Sequence, residues 1–147
     1  MAAQRIEGKP VAEQIKNEVR EGVALLVREK GVRPGLGFIL VGENPASQTY
    51  VNSKGKACAD LGIASETVRL PESTREEEVL AQIHAWNADP RMHGILVQLP
   101  LPRHINEQRV IESIDPRKDV DGFHPVNVGR LVIGMECLRP CTPAGIQ

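Results

Sequence analysis

The chain has 147 residues, 41% of them hydrophobic and 25% charged, which suits one globular domain with a core of useful size. Lys+Arg 18 against Asp+Glu 19 leaves a net charge of −1 with no long run of one sign, so no surface for nucleic acid or an anionic membrane is expected. No stretch reaches the apolar length of a membrane span, Met1–Arg5 lacks a signal-peptide run, and Cys58, Cys137 and Cys141 lack zinc-type spacing; a reduced, cytoplasmic, metal-free protein is expected.

Residues 1–9 read as a lead-in, and Pro10 suits the first turn of a helix. Val11, Ile15, Val19, Val23 and Leu26 recur at helical spacing through Lys30, and Gly31 supplies a C-cap. Pro34-Gly35 is a turn before a short apolar strand, Leu36 to Val41, which Gly42-Glu43-Asn44-Pro45 breaks. A second helix begins at Pro45 or Ser47 and runs to Leu61, ended by Gly62. Ile63 to Leu70 alternates as a second strand. Ser73 and Thr74, each followed three residues later by a glutamate, look like a capping box for a third helix with Val79, Leu80, Ile83 and Trp86 on its inner face. That helix ends near Asn87, because Pro90 disfavours helix just before it.

Gly94 to Gln98 is too short and too β-branched for a buried helix and reads as a strand covered on both faces. Pro100 and Pro102 cannot donate ladder hydrogen bonds, so the strand ends by Leu99 and leaves Gln98 at the carboxyl end of a central strand. Ligands bind there in open α/β sheets. Gln98 either ties down the following loop or offers its amide to a ligand. Asn106 to Ile114 reads as a fourth helix, Pro116–Pro125 as a polar turn region, and Asn127 to Ile133 as one or two more helical turns. Thr142-Pro143 resembles the N-cap and first position of another helix. Helices alternating with short apolar strands predict an α/β fold, a mainly parallel sheet flanked by helices. The dinucleotide fingerprint G-x-G-x-x-G is absent, since Gly35-Leu36-Gly37 precedes its strand.

On a helical wheel advancing about 100° per residue, Val51, Ala57, Cys58 and Leu61 gather with Tyr50 on one side, and Lys54 lands near the middle of that apolar side. Such a lysine either snorkels to water from the edge of the stripe or points into a cleft, desolvated and fit for proton transfer. The neighbouring Tyr50 can stack on a flat ligand. Asp121 is either a turn aspartate bonded to local N–H groups or a carboxylate that accepts N–H donors of a heterocycle. His124, in a His-Pro loop, reads as structural.

Four motifs then coincide in order and spacing: Asn44-Pro45-Ala46-Ser47-x-x-Tyr50-Val51-x-x-Lys54, Gly94 through Pro102, Lys118-Asp119-Val120-Asp121-Gly122-Phe123-His124-Pro125-x-Asn127-x-Gly129-Arg130-Leu131, and Pro140-Cys141-Thr142-Pro143-x-Gly145. Over essentially its whole length the chain resembles the N-terminal, catalytic domain of the bifunctional methylenetetrahydrofolate dehydrogenase/methenyltetrahydrofolate cyclohydrolase family. The resemblance implies an enzyme of folate one-carbon metabolism that interconverts 5,10-methylene-, 5,10-methenyl- and 10-formyltetrahydrofolate. It implies that Lys54 transfers protons in the cyclohydrolase step, and that Tyr50 stacks on the aminobenzoate and orients the lysine. Gln98 would support the protonation state of Lys54, Asp121 would bind the pterin, and Leu99 and Pro100 would line its pocket. Ser47 and Cys141 are further lining residues on the same ground.

The same resemblance divides the chain into a folate-binding catalytic domain, residues 1–140, and the start of a hinge, residues 141–147. The family's following Rossmann-type domain, which holds NADP or NAD (NADP being the expected cofactor), and a last helix that packs back on this domain have no counterpart here. Hydride transfer by this chain alone is therefore not expected, and apolar surface should stand exposed. The resemblance also implies a homodimer. The alternatives are a catalytically silent folate-binding module and an interaction domain with a decayed site.

Overall fold

The computed structural model describes residues 7–146. Its elements in chain order are α1 (Gly8–Lys30), β1 (Gly35–Val41), α2 (Pro45–Leu61), β2 (Ala64–Leu70), α3 (Glu76–Ala88), β3 (Gly94–Val97), α4 (Glu107–Ser113), α5 (Pro125–Val132) and α6 (Cys141–Ile146). The three strands form one parallel sheet in the order β2-β1-β3, with β1 at the centre. Gln98 thus follows the strand beside the central one rather than the central strand itself. On its other side β3 is joined by a single parallel bridge, Ile95 to Asp119, so the loop after α4 behaves as a fragment of a fourth strand.

Side chains alternate across the strands, and that period of two sets both core layers. Ile39 and Val41 of β1, with Ile95 and Val97 of β3, pack against Val79, Ile83 and Trp86 of α3 and Val110 of α4. Phe38, Leu40 and Leu96 point the other way, onto Val51 and Cys58 of α2. The result is a helix–sheet–helix sandwich. Two residues beyond Leu96, Gln98 inherits the α2 side by the same alternation.

The helix signals are mostly where the sequence places them. Gly31 and Gly62 end α1 and α2 at φ 64° and 78°, the left-handed values that favour glycine at a C-cap. Asn44 caps α2, its side-chain oxygen accepting the N–H groups of Ala46 at 2.9 Å and Ser47 at 3.2 Å, with Pro45 at the first helical position. The α3 cap lies one or two residues later than its Ser-Thr sequence suggests: Glu78 accepts the N–H of Arg75 at 2.9 Å, and Thr74 is buried instead. The last helix opens at Cys141 rather than at Pro143, Ala144 donating to the carbonyl of Pro140 at 3.2 Å. α1 begins at Gly8, two residues before Pro10; residues 1–6 of the expected lead-in lie outside the described residues.

α1 departs most from its apolar pattern. Of its stripe only Val23 is buried, while Val11, Ile15, Val19 and Leu26 are exposed. Val23 lies beside Gly62, so the C-terminal half of α1 carries its contact with the domain. Among the described residues no helix is long and apolar enough to cross a membrane.

Two Asp-Pro-Arg turns, Asp89-Pro90-Arg91 after α3 and Asp115-Pro116-Arg117 after α4, repeat one device. Each aspartate accepts the N–H of the arginine two residues on, at 2.8 and 2.9 Å, and also binds its guanidinium. The arginine hydrogen bonds hold both carboxyl groups at about 2, well below the ordinary carboxylate value. A carboxyl group depressed in the folded state stabilises the fold above its unfolded value, near 4, and that contribution is lost as pH falls toward 2. Urea midpoints measured from pH 6 to pH 2 should therefore fall less steeply for an Arg91→Gln/Arg117→Gln variant than for the unaltered chain.

Candidate functional site

The site forms where α2 crosses the carboxyl end of β3. The inward line of α2 is Ser47, Val51 and Cys58, all buried. Lys54 is one helical turn beyond Val51 and so sits at the flank of this line, not in its middle. The shift has a simple cause: Tyr50, taken as part of the apolar side, is 61% exposed and stands outside the core. Half-buried at the flank, Lys54 does not snorkel away; its Nζ donates to Oε1 of Gln98 at 3.2 Å.

Gln98 ties down the loop after its strand and meets Lys54. Its own N–H donates to the carbonyl of Ile39 at 2.9 Å, continuing the ladder with β1 beyond Val97. Its side-chain Nε2 donates to the carbonyl of Leu99 at 2.8 Å, and this fixes the amide so that Oε1 faces the lysine. Leu99 is half-buried against the core, and a cis peptide joins it to the exposed Pro100. Pro100 lines a surface groove of about 390 Å³ with Gly42, Glu43 and Glu72.

Asp121 is held by the loop that bridges to β3. Lys118 donates from Nζ to the carbonyls of Trp86, Asn87 and Asp89 at 2.9, 2.8 and 2.9 Å, closing the C-terminus of α3. Its own carbonyl accepts the N–H of Ile95 at 2.7 Å. Asp119, 2% exposed, accepts from the N–H of His124 at 2.8 Å and from Nδ2 of Asn127 at 2.9 Å. Local N–H groups are thus taken by Asp119. Asp121, two residues on, is half-buried and accepts no hydrogen bond among the described residues. Burial pushes its carboxyl group above the ordinary value; the charge of Lys54 opposes this, and that of Asp119 adds to it.

The structure therefore brings Lys54 and Gln98 into contact and sets Asp121 within reach of the lysine's charge, with Tyr50 one turn before Lys54. Ser47 is buried under the start of α2, and Cys141 is exposed at the start of α6. His124 is structural: its Nδ1 accepts the N–H of Val126 at 3.1 Å as the cap of α5. Among the described residues no three His, Cys, Asp or Glu groups gather as a metal site would require. Asp119 and Asn127 stood in the third motif without a role. No local sequence rule joins a carboxylate to an amide eight residues away, so nothing in the spacing marks them.

Residues 6–121 match the family described as "Tetrahydrofolate dehydrogenase/cyclohydrolase, catalytic domain". The chain is 53% identical over 142 residues to the bifunctional protein FolD of Enterococcus faecalis, covering 97% of this chain and 50% of that protein. Among solved structures it superposes on the bifunctional methylenetetrahydrofolate dehydrogenase/cyclohydrolase FolD of Campylobacter jejuni with a TM-score of 0.91 at 51% identity, over 95% of this chain and 49% of that one. It superposes on the FolD of Trypanosoma brucei, solved with NADP cofactor and inhibitor, with a TM-score of 0.93 at 41% identity, over 99% of this chain and 50% of that one. The chain spans about half the length of the relatives it matches. By its motifs, its fold and the extent of these matches, the chain belongs to the catalytic-domain family of tetrahydrofolate dehydrogenase/cyclohydrolases.

Proposed function

We propose that this chain is the folate-binding and proton-transfer half of a methylenetetrahydrofolate dehydrogenase/methenyltetrahydrofolate cyclohydrolase, acting in one-carbon metabolism. The observation that carries the reading is the Lys54–Gln98 contact beside a half-buried carboxylate, Asp121, that accepts no hydrogen bond among the described residues. A pterin ring carries N–H donors, and these would supply what Asp121 lacks.

In the cyclohydrolase step water attacks the amidinium carbon of methenyltetrahydrofolate and gives up a proton; that proton is delivered to N5, the bond from N5 to the carbon breaks, and release of the remaining hydroxyl proton leaves the 10-formyl product. Lys54 Nζ takes the proton from the attacking water and returns it at N5. Gln98 Oε1 accepts from Nζ and fixes the direction in which it points. The exposed ring of Tyr50 stacks on the aminobenzoate, and Leu99 and Pro100 wall the pterin.

The dehydrogenase step requires NADP, which supplies the hydride acceptor. The described residues do not fit it. The turns after β1, β2 and β3 hold no glycine cluster, and the N–H groups at the start of α2, where a phosphate would bind, are already taken by Asn44. The proposal assigns NADP to a domain beyond this one, with residues 1–140 as the folate domain and residues 141–147 leading into the hinge. A homodimer in the cytoplasm is part of the same proposal.

Asp121→Asn separates binding from folding. A carboxyl group raised in the folded state stabilises the fold at low pH, and that contribution fades as pH rises through its folded value. As pH rises and Asp121 ionises, it therefore weakens the free chain. The variant should leave the urea midpoint unchanged or raised, yet weaken tetrahydrofolate binding about 10- to 100-fold, the range for losing a hydrogen bond to a charged group. Titration calorimetry with tetrahydrofolate checks it; equal affinities for both chains would contradict the pterin role.

A further inference from the structure

We propose that Asp119 is a positioning residue for the folate site: its buried carboxylate, tied to Asn127, holds the loop that presents Asp121 opposite Lys54. The inference rests on the folate reading for its consequence and on geometry alone for its cause. Asp119 and Asn127 are both 2% exposed, among the most deeply buried side chains described. Asn127 Nδ2 donates both to Asp119 Oδ2 at 2.9 Å and to the carbonyl of Pro116 at 2.8 Å. The amide thus closes the loop on itself from the first turn of α5, while His124 adds its N–H to the same carboxylate oxygen at 2.8 Å.

The rest of the loop is tethered at both ends. At its start, the bridge from Asp119 to Ile95 fixes it against β3. At its end, Gly122 turns at φ 68°, and a Cβ there would lie 2.8 Å from the carbonyl oxygen of Leu138 and 2.9 Å from Cδ of Pro140. Between the tethers Asp121 has no hydrogen bond of its own among the described residues, so its place is set by its neighbours. Asp119 touches neither Lys54 nor Gln98, and its effect on the site passes through Asp121. A buried carboxylate whose partners are neutral donors is costly by itself, and a fixed loop geometry is what it secures here.

The test uses the 147-residue chain with tetrahydrofolate as the probe. Asp119→Ala should weaken binding about tenfold through misplacement of Asp121. Asp119→Asn, which keeps an acceptor oxygen, should recover most of that loss. In an Asp121→Asn background, Asp119→Ala should add less than about twofold, because the two residues act as one unit. Losses that simply add, or an Asp119→Asn variant as weak as Asp119→Ala, would overturn the proposal. A second measurement needs no folate and no Asp119 variant. In Asn127→Ala, amide hydrogen exchange over residues 120–124 should quicken about tenfold while the amides of β1 keep their protection. Unchanged exchange in that loop overturns the inference even where binding is lost. If the unaltered chain binds no tetrahydrofolate, the folate reading fails, and the exchange experiment still decides the role of Asp119.

Discussion

Lys54→Met is expected to slow hydrolysis of methenyltetrahydrofolate about 100- to 10,000-fold, the usual contribution of a positioned proton-transfer group. Methionine keeps the length and apolar bulk of the side chain, so the flank of α2 stays packed and the fold is preserved. Only the amine is lost, and with it the donor to Gln98 Oε1. Folate affinity should change far less than turnover, because the pterin is assigned to Asp121 and the aminobenzoate to Tyr50. Such a split places the lysine's effect in the transition state rather than in binding. Turnover and affinity falling together by the same factor would instead make Lys54 a binding residue.

Lys118→Met is expected to cost about 2–4 kcal/mol of unfolding free energy, a large share of the stability of a domain this size. A surface lysine contributes little, but this one is half-buried and donates to three backbone carbonyls at the end of α3. Each is a charged hydrogen bond to a carbonyl at or just past the end of the helix, where a cation is favoured. Asn87 completes the junction, donating to the carbonyl of Ser113 at 2.7 Å and accepting the N–H of Asp115 at 2.9 Å. Loss of the lysine loosens α3 from the loop that carries Asp121. Urea unfolding followed by the circular dichroism of the helices reads the cost; a change below about 0.5 kcal/mol, the usual surface value, would show that the three bonds are not made in solution.

Much of this could be read from the residues. Short apolar runs bounded by glycine and proline mark β1 and β3, rough alternation marks β2, and Gly31 and Gly62 mark helix ends through local chemistry that needs no tertiary contact. Lys54 and Gln98 were legible as a pair only through the motifs, since 44 residues separate them and no local rule joins them. The helical wheel centred Lys54 too deeply, because a tyrosine counts as apolar in a pattern while its ring here stands in solvent. The α1 stripe misled for the opposite reason: apolar spacing reports what a face could bury, not what covers it. Asp119 and Asp121 show the same limit at short range. Two aspartates two residues apart look alike as turn formers, and only the α5 amide reveals which one turns inward.

The most direct test of the account is the decay of methenyltetrahydrofolate absorbance with the 147-residue chain and no nucleotide, beside Lys54→Met. The account predicts hydrolysis above the buffer rate that vanishes in the variant. Hydrolysis at the buffer rate by a folded chain that binds tetrahydrofolate would contradict it, and would show that the pairing of Lys54 with Gln98 does not by itself make a proton-transfer site.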